Sequence, residues 1–220
     1  YLQVLEVKQE LLDKENPELS FTLSGMAELY RRMGLYSKAA PLFIDVVARM
    51  TEQLGPESPA LYSVLANQAK LFEDTGDYDK AEQTYHRVWT FDRATLGEKH
   101  PNTIIDLNNL AGIYRKAGKY RQGEETLLKV LEDAESVLGR QHPETITAMN
   151  NLGLLYENIG LYDKAEPLFM EASRLAEAVM GEDHPRTINI MNNLGLLYES
   201  QGLFDKAEPH YLRVLHHSSN

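Results

Sequence analysis

At 220 residues, 43% apolar and 25% charged, the chain has the composition of a folded globular protein. Its net charge of −11 argues against attraction of its whole surface to nucleic acid or anionic lipid, and it contains no apolar run long enough to cross a membrane. The absence of cysteine excludes disulfides, thiolate metal sites and a thiol nucleophile, and fits a reducing cytoplasm.

The first segment, "YLQVLE" at residues 1–6, matches "YLRVLH" at 211–216, five periods of 42 residues further on. Residues 1–14 therefore read as the second helix of a truncated repeat, and the chain as a fragment of a larger protein. From there the repeat is explicit. Prolines stand at Pro17, Pro59, Pro101, Pro143 and Pro185, each 42 residues after the last. Glycines at Gly34, Gly76, Gly118, Gly160 and Gly202 keep the same period, and an aromatic follows each two residues later: Tyr36, Tyr78, Tyr120, Tyr162 and Phe204. The coincidence of three residue types in one register marks a repeat array with units over 17–55, 59–97, 101–139, 143–181 and 185–217.

Each unit reads as two helices. In the fourth, Pro143 suits a first helical position, and Ile146, Met149, Leu152, Tyr156 and Ile159 recur at spacings of three and four. Gly160 stops that helix. Asp163 is the expected cap of the second, with Glu166 completing a capping box, and Pro167 falls near the end of the first turn. Ala165, Leu168, Phe169, Ala172 and Leu175 form its apolar stripe, which Gly181 ends. Neither helix buries its stripe alone; stacked neighbours must complete the core. Small residues in two series, Ala27, Ala69, Ala111, Gly153, Gly195 and Ala39, Ala81, Gly123, Ala165, Ala207, let paired helices approach closely.

The spacing Met149-x2-Leu152-Gly153-x2-Tyr156, then Ala165-x3-Phe169, resembles the tetratricopeptide (TPR) pattern. The departures are Gln68 for the expected leucine in the second unit, and Gly123 and Leu127 for alanine and the aromatic in the third. The 42-residue form with "LG..HP", "NNLG.LY" and "AEPL" is similar to the kinesin light chain group of these repeats. It also resembles arrays attached to caspase-like (CHAT-type) peptidases and to nucleotide-binding signalling ATPases. The resemblance implies an all-α, right-handed TPR superhelix: one solenoid over 1–220, made of five antiparallel helix pairs preceded by a lone helix.

The resemblance also implies that the first helices line the concave face, with the second asparagine of each pair turned into it: Asn67, Asn109, Asn151 and Asn193. An asparagine offers a donor and an acceptor, and so can meet both polar groups of one peptide unit in an extended chain. The competing reading is that these amides brace neighbouring repeats, and the first asparagines, Asn108, Asn150 and Asn192, are open to the same pair of readings. Neighbouring groove candidates are Glu28, Arg31, Arg32, Lys70, Glu73, Asp74, Arg115 and Lys116, together with Leu154, Glu157, Asn158, Leu196, Glu199 and Ser200. The arginines and Lys116 would favour an acidic segment or a C-terminal carboxylate; equally, they answer the helix dipole.

Catalytic patterns are missing: no P-loop, dinucleotide turn, G-x-S-x-G or HExxH occurs. His100, His142 and His184 belong to different repeats, so no single metal ion reaches two of them; turn chemistry before Pro is the expected role. Trp89 sits where the other repeats place Val47, Leu131, Ser173 and Leu215, mostly apolar, and reads as filler between repeats. The reading is thus a non-enzymatic, cofactor-free and metal-free interaction module. It would hold a protein or peptide partner in its groove as an adaptor or scaffold, without nucleic acid or membrane partners. The alternatives are a sensor segment of a multidomain peptidase or ATPase, and a scaffold that self-associates through the solenoid ends.

Overall fold

The computed structural model describes residues 17–218. Ten α-helices make up the described residues, without strands. Contacts divide the chain into two compact units, residues 1–97 and 98–220. The lone helix expected over 1–14 lies outside the described residues.

The first unit holds α1 (Pro17–Arg32), α2 (Tyr36–Leu54), α3 (Pro59–Asp74) and α4 (Tyr78–Leu96). α1 packs on α2, α2 on α3 and α3 on α4. Its core joins Ala27, Ala39, Phe43, Val46 and Met50 to Leu61, Leu65, Val88 and Phe91. The rings of Tyr62 and Phe91 stack with centroids 3.7 Å apart. Trp89 is half-buried, with the Arg93 guanidinium 4.5 Å from its ring centroid.

The second unit holds α5 (Pro101–Lys116), α6 (Tyr120–Val137), α7 (Pro143–Asn158), α8 (Tyr162–Met180), α9 (Pro185–Ser200) and α10 (Phe204–Ser218). Each helix packs on the next, and the backbones of α5 and α7, and of α7 and α9, also approach one another. Among the described residues, no comparable backbone packing joins α6 to α8 or α8 to α10. The first helices of the pairs are therefore drawn together on the inner side of this unit, and the second helices fan outward.

Local chemistry sets the helix ends. His100, His142 and His184 do serve the turn: each ring Nδ1 accepts a hydrogen bond from the backbone N–H two residues on, at 3.2 Å, and Pro follows at the first helical position. Gly160 ends α7 with φ of 74°, a left-handed conformation that costs other residues more, and the N–H of Leu161 closes the turn on the Tyr156 carbonyl at 2.8 Å.

One expected cap is not formed. α8 begins at Tyr162, after Leu161, whose carbonyl accepts from the N–H of Lys164 and Ala165; Asp163 lies inside the first turn and caps nothing. There its charge still favours the helix N-terminus. Glu166 turns to another helix instead, accepting from the Tyr198 hydroxyl at 2.7 Å.

The small-residue series holds where the two helices of a pair cross. A Cβ on Gly153 would stand 2.8 Å from the ring of Phe169, and one on Gly195 2.8 Å from that of Tyr211; on Gly123 it would stand 2.7 Å from Leu155 Cδ1. These glycines permit the close approach of large side chains on neighbouring helices.

Candidate functional site

The inner face of the second unit is built from α5, α7 and α9, and repeats one register three times. Asn109, Asn151 and Asn193 are half-buried along it. One turn further on stand Gly112, Leu154 and Leu196, the last 42% exposed. Beyond them come Lys116, Asn158 and Ser200, all exposed.

The twin asparagines make lateral bonds. Asn151 Nδ2 donates to Asn108 Oδ1 at 3.0 Å, and Asn193 Nδ2 donates to Asn150 Oδ1 at 2.9 Å. Each bond joins residues 43 apart, so the second asparagine of one repeat reaches the first asparagine of the repeat before it. The bracing role weighed for Asn151 and Asn193 is thus formed. Each Nδ2 carries two N–H groups and spends one of them sideways; the second N–H and the Oδ1 acceptor are what each amide can offer a bound chain. Asn108 is 3% exposed and belongs to the packed interface of α5 and α7. Asn150 and Asn192 are half-buried. In the sequence, the residue 43 before Asn109 is Ala66, which carries no amide.

A second lateral bond uses the same offset. Arg115 Nη1 donates to Asn158 Oδ1 at 3.0 Å. Glu157 lies close enough to Arg115 to feel its charge, yet burial prevails and pushes its carboxyl above the usual carboxylate range. Lys116 is exposed at the end of α5.

In the first unit Arg31 pairs with Glu28 at 2.7 Å on its own helix and with Asp74 of α3. Arg32 pairs with Glu28 at 2.8 Å, its side chain 73% exposed. Bonds from Arg31 and Arg32 hold the Glu28 carboxyl down to about 2, against the opposing effect of partial burial. Much of the positive charge expected to select an acidic ligand is thus answered within the fold. Asn67 and Lys70 are half-buried on α3.

Tyrosine hydroxyl bonds, which were not among the expected contacts, also tie the helices. Tyr156 donates to Glu124 at 3.0 Å and Tyr198 to Glu166 at 2.7 Å, with Lys164 and Lys206 lying 4.9 and 5.1 Å from the respective rings. The recurring triad of Tyr, Lys and Glu at a 42-residue period was the available signal. Burial and the bonded carboxylate raise both tyrosines to about 12. Among the described residues, no group of three His, Asp or Glu side chains is placed to hold a metal ion.

The tetratricopeptide repeat profile matches residues 18–88, 61–122, 104–178 and 156–216, which together run through most of the chain. The chain belongs to the tetratricopeptide repeat family. This TPR protein also resembles solved structures in fold. It is 24% identical to BtubC (BKLC) from P. vanneervenii, with a TM-score of 0.71, covering 92% of this chain and 81% of that one. To a kinesin light chain of nearly identical TPR-like repeats from Podosopora anserina it is 20% identical, with a TM-score of 0.69, covering 93% of this chain and 97% of that one. A Rap protein solved in complex with competence and sporulation factor is 16% identical, with a TM-score of 0.83, covering 99% of this chain and 58% of that one. No curated protein sequence matches the chain. The expected family and its kinesin light chain-like 42-residue form thus stand, and the TPR array is a scaffold for protein–protein interaction.

Proposed function

We propose that the inner face of the second unit binds an extended segment of a protein partner, and that the chain acts as a non-catalytic adaptor or scaffold. The observation that carries this reading is the row of half-exposed amides at one register, Asn109, Asn151 and Asn193, bordered by the exposed side chain of Leu196. With one N–H of Asn151 and of Asn193 used laterally, each amide keeps a donor and an acceptor, and the acceptors suit the backbone N–H groups of a bound chain. Neighbouring helices lie about 8–10 Å apart, which is about three residues of extended chain at roughly 3.3 Å each. In a polyproline-II-like segment, with three residues per turn, N–H groups three apart face the same side, so every third N–H would find an acceptor. Each bond contributes only about 0.5–1.5 kcal/mol net, so apolar contacts at Leu154 and Leu196 must supply much of the affinity. The Rap neighbour, solved with a bound factor and matched over 58% of its length, supports a TPR array as a binding surface. Nucleic acid and lipid surfaces are poor partners for a chain of net charge −11.

The test is selection of random peptides displayed against the full 220-residue chain, followed by fluorescence anisotropy with a labelled selected peptide. The pair Asn109→Arg and Leu196→Arg, both on the inner face, should weaken binding at least tenfold. Leu212→Arg, on the outward side of α10, should leave it unchanged. If Leu212→Arg abolishes binding and the inner pair does not, the partner binds elsewhere and the reading fails.

A further inference from the structure

Charged residues recur at one register in the last turn of the first helices: Glu73 on α3, Arg115 on α5, Glu157 on α7 and Glu199 on α9. Twelve residues after each, on the second helix of the pair, stand Tyr85, Leu127, Phe169 and Tyr211. Where that residue is tyrosine, its hydroxyl answers the carboxylate. Tyr85 donates to Glu73 at 3.2 Å, and Tyr211 donates to Glu199.

Glu157 breaks the pattern. Its partner position holds Phe169, fully buried and without a hydroxyl to give. A tyrosine fits the same setting one repeat later, since Gly195 admits Tyr211 as Gly153 admits Phe169. Burial acts on the half-buried Glu157 carboxyl, opposed by the charge of Arg115, and no hydrogen bond from the described residues adds to them. Arg115 gives a hydrogen bond to the adjacent Asn158 instead. On the other side of Glu157 lies Tyr211. Burial and the bond to Glu199 hold the Tyr211 proton and the Glu157 charge adds to them, so two carboxylates lie about one phenol that serves only Glu199.

A half-buried carboxylate without a donor carries a desolvation cost that nothing inside the fold offsets. A donor arriving with a ligand would offset it, and a charged donor forms the stronger bond. The place is accessible to the segment argued above: Glu157 sits six residues past Asn151 on α7, beside the exposed Asn158. We propose that Glu157 receives a lysine or arginine side chain of the segment bound along the inner face. This inference rests on the groove reading and gives it a specificity: a basic position in the ligand, in place of the acidic one that the arginines suggested.

Peptides selected from the displayed random library on the wild-type chain should share one lysine or arginine. Norleucine at that position should weaken binding about tenfold or more in fluorescence anisotropy, and Glu157→Gln should weaken the unchanged peptide similarly. The two changes together should cost little more than either alone. Glu157→Gln removes a charge that burial disfavours, so its guanidinium midpoint should not fall. Glu132→Gln removes one charge from the exposed side of α6 and should leave affinity unchanged. An equal loss with Glu132→Gln would mean that the chain's overall charge acts, and would overturn the assignment. So would selected peptides with no shared basic position. If Glu157→Gln binds as tightly as wild type while the Asn109→Arg and Leu196→Arg pair does not, Glu157 is idle and the groove reading stands. If neither variant loses affinity, or no peptide is recovered, both readings fall.

Discussion

Removing the Asn151 side chain separates the bracing role of the amides from their binding role. In Asn151→Ala the Asn108 Oδ1 loses its donor at 3.0 Å, and Asn108 is only 3% exposed, so water replaces that donor poorly. Losing the bond costs about 0.5–1.5 kcal/mol, and leaving a buried acceptor unpaired raises the cost toward about 1–3 kcal/mol. Alanine returns up to about 0.7 kcal/mol of helix propensity. The net expectation is a loss of about 1–2 kcal/mol, or a few degrees in melting temperature at about 2–4 °C per kcal/mol for a chain of this size. Asn109→Ala makes the same chemical change where the register offers no amide partner, and should be neutral or slightly stabilising. Guanidinium unfolding followed by far-ultraviolet circular dichroism compares the two. Adding Asn108→Ala to Asn151→Ala should cost less than the sum, because both partners leave together. If Asn151→Ala and Asn109→Ala unfold alike, the lateral bond contributes nothing and the bracing account is wrong.

Three further outcomes follow from the geometry. Gly112→Ala should stabilise by about 1 kcal/mol, whereas Gly153→Ala, whose Cβ would press on the buried Phe169 ring, should destabilise by about 1–2 kcal/mol; thermal melts of the pair check the signs. Glu28, held at about 2 against an ordinary 4.5, contributes stability that is complete above pH 4.5 and is lost as pH falls toward 2. Acid titration of Glu28→Gln should therefore show a shallower loss in that window than wild type. Tyr198, raised to about 12, stays protonated in the folded state while the unfolded chain ionises near 10, so stability should fall as pH rises from about 10 to 12. Tyr198→Phe should flatten that alkaline slope while costing about 0.5–1.5 kcal/mol at neutral pH.

The helical layout was legible because its determinants are local. Proline at a first turn, glycine at a left-handed terminus and apolar spacing of three and four each act within a few residues, and their 42-residue coincidence made the repeat plain. The histidine role was also readable, since a side chain before proline has only the next turn to cap. The bonds between repeats were not. A contact between residues 43 apart depends on how one first helix is rotated against the next, which no spacing within a single repeat states. The same limit hid the pairing of Arg31 with Asp74, so its charge looked available. Asp163 failed as a cap because the helix entry is set by Leu161, whose carbonyl collects the first turn.

The twin asparagines bear on how such an array can be lengthened. Asn151 reaches back to the preceding repeat, and Asn150 receives the reach of the next. A repeat carrying both halves fits behind a copy of itself. Residues 143–184, duplicated in place, would bring a donor and an acceptor to each new junction without any compensating change. A repeat that has lost one half, as the second has with Ala66 before Asn67, can no longer join an identical neighbour in this way. Asparagine in pairs thus makes a module indifferent to how many copies stand beside it, and growth of the array would need no new interface to be invented.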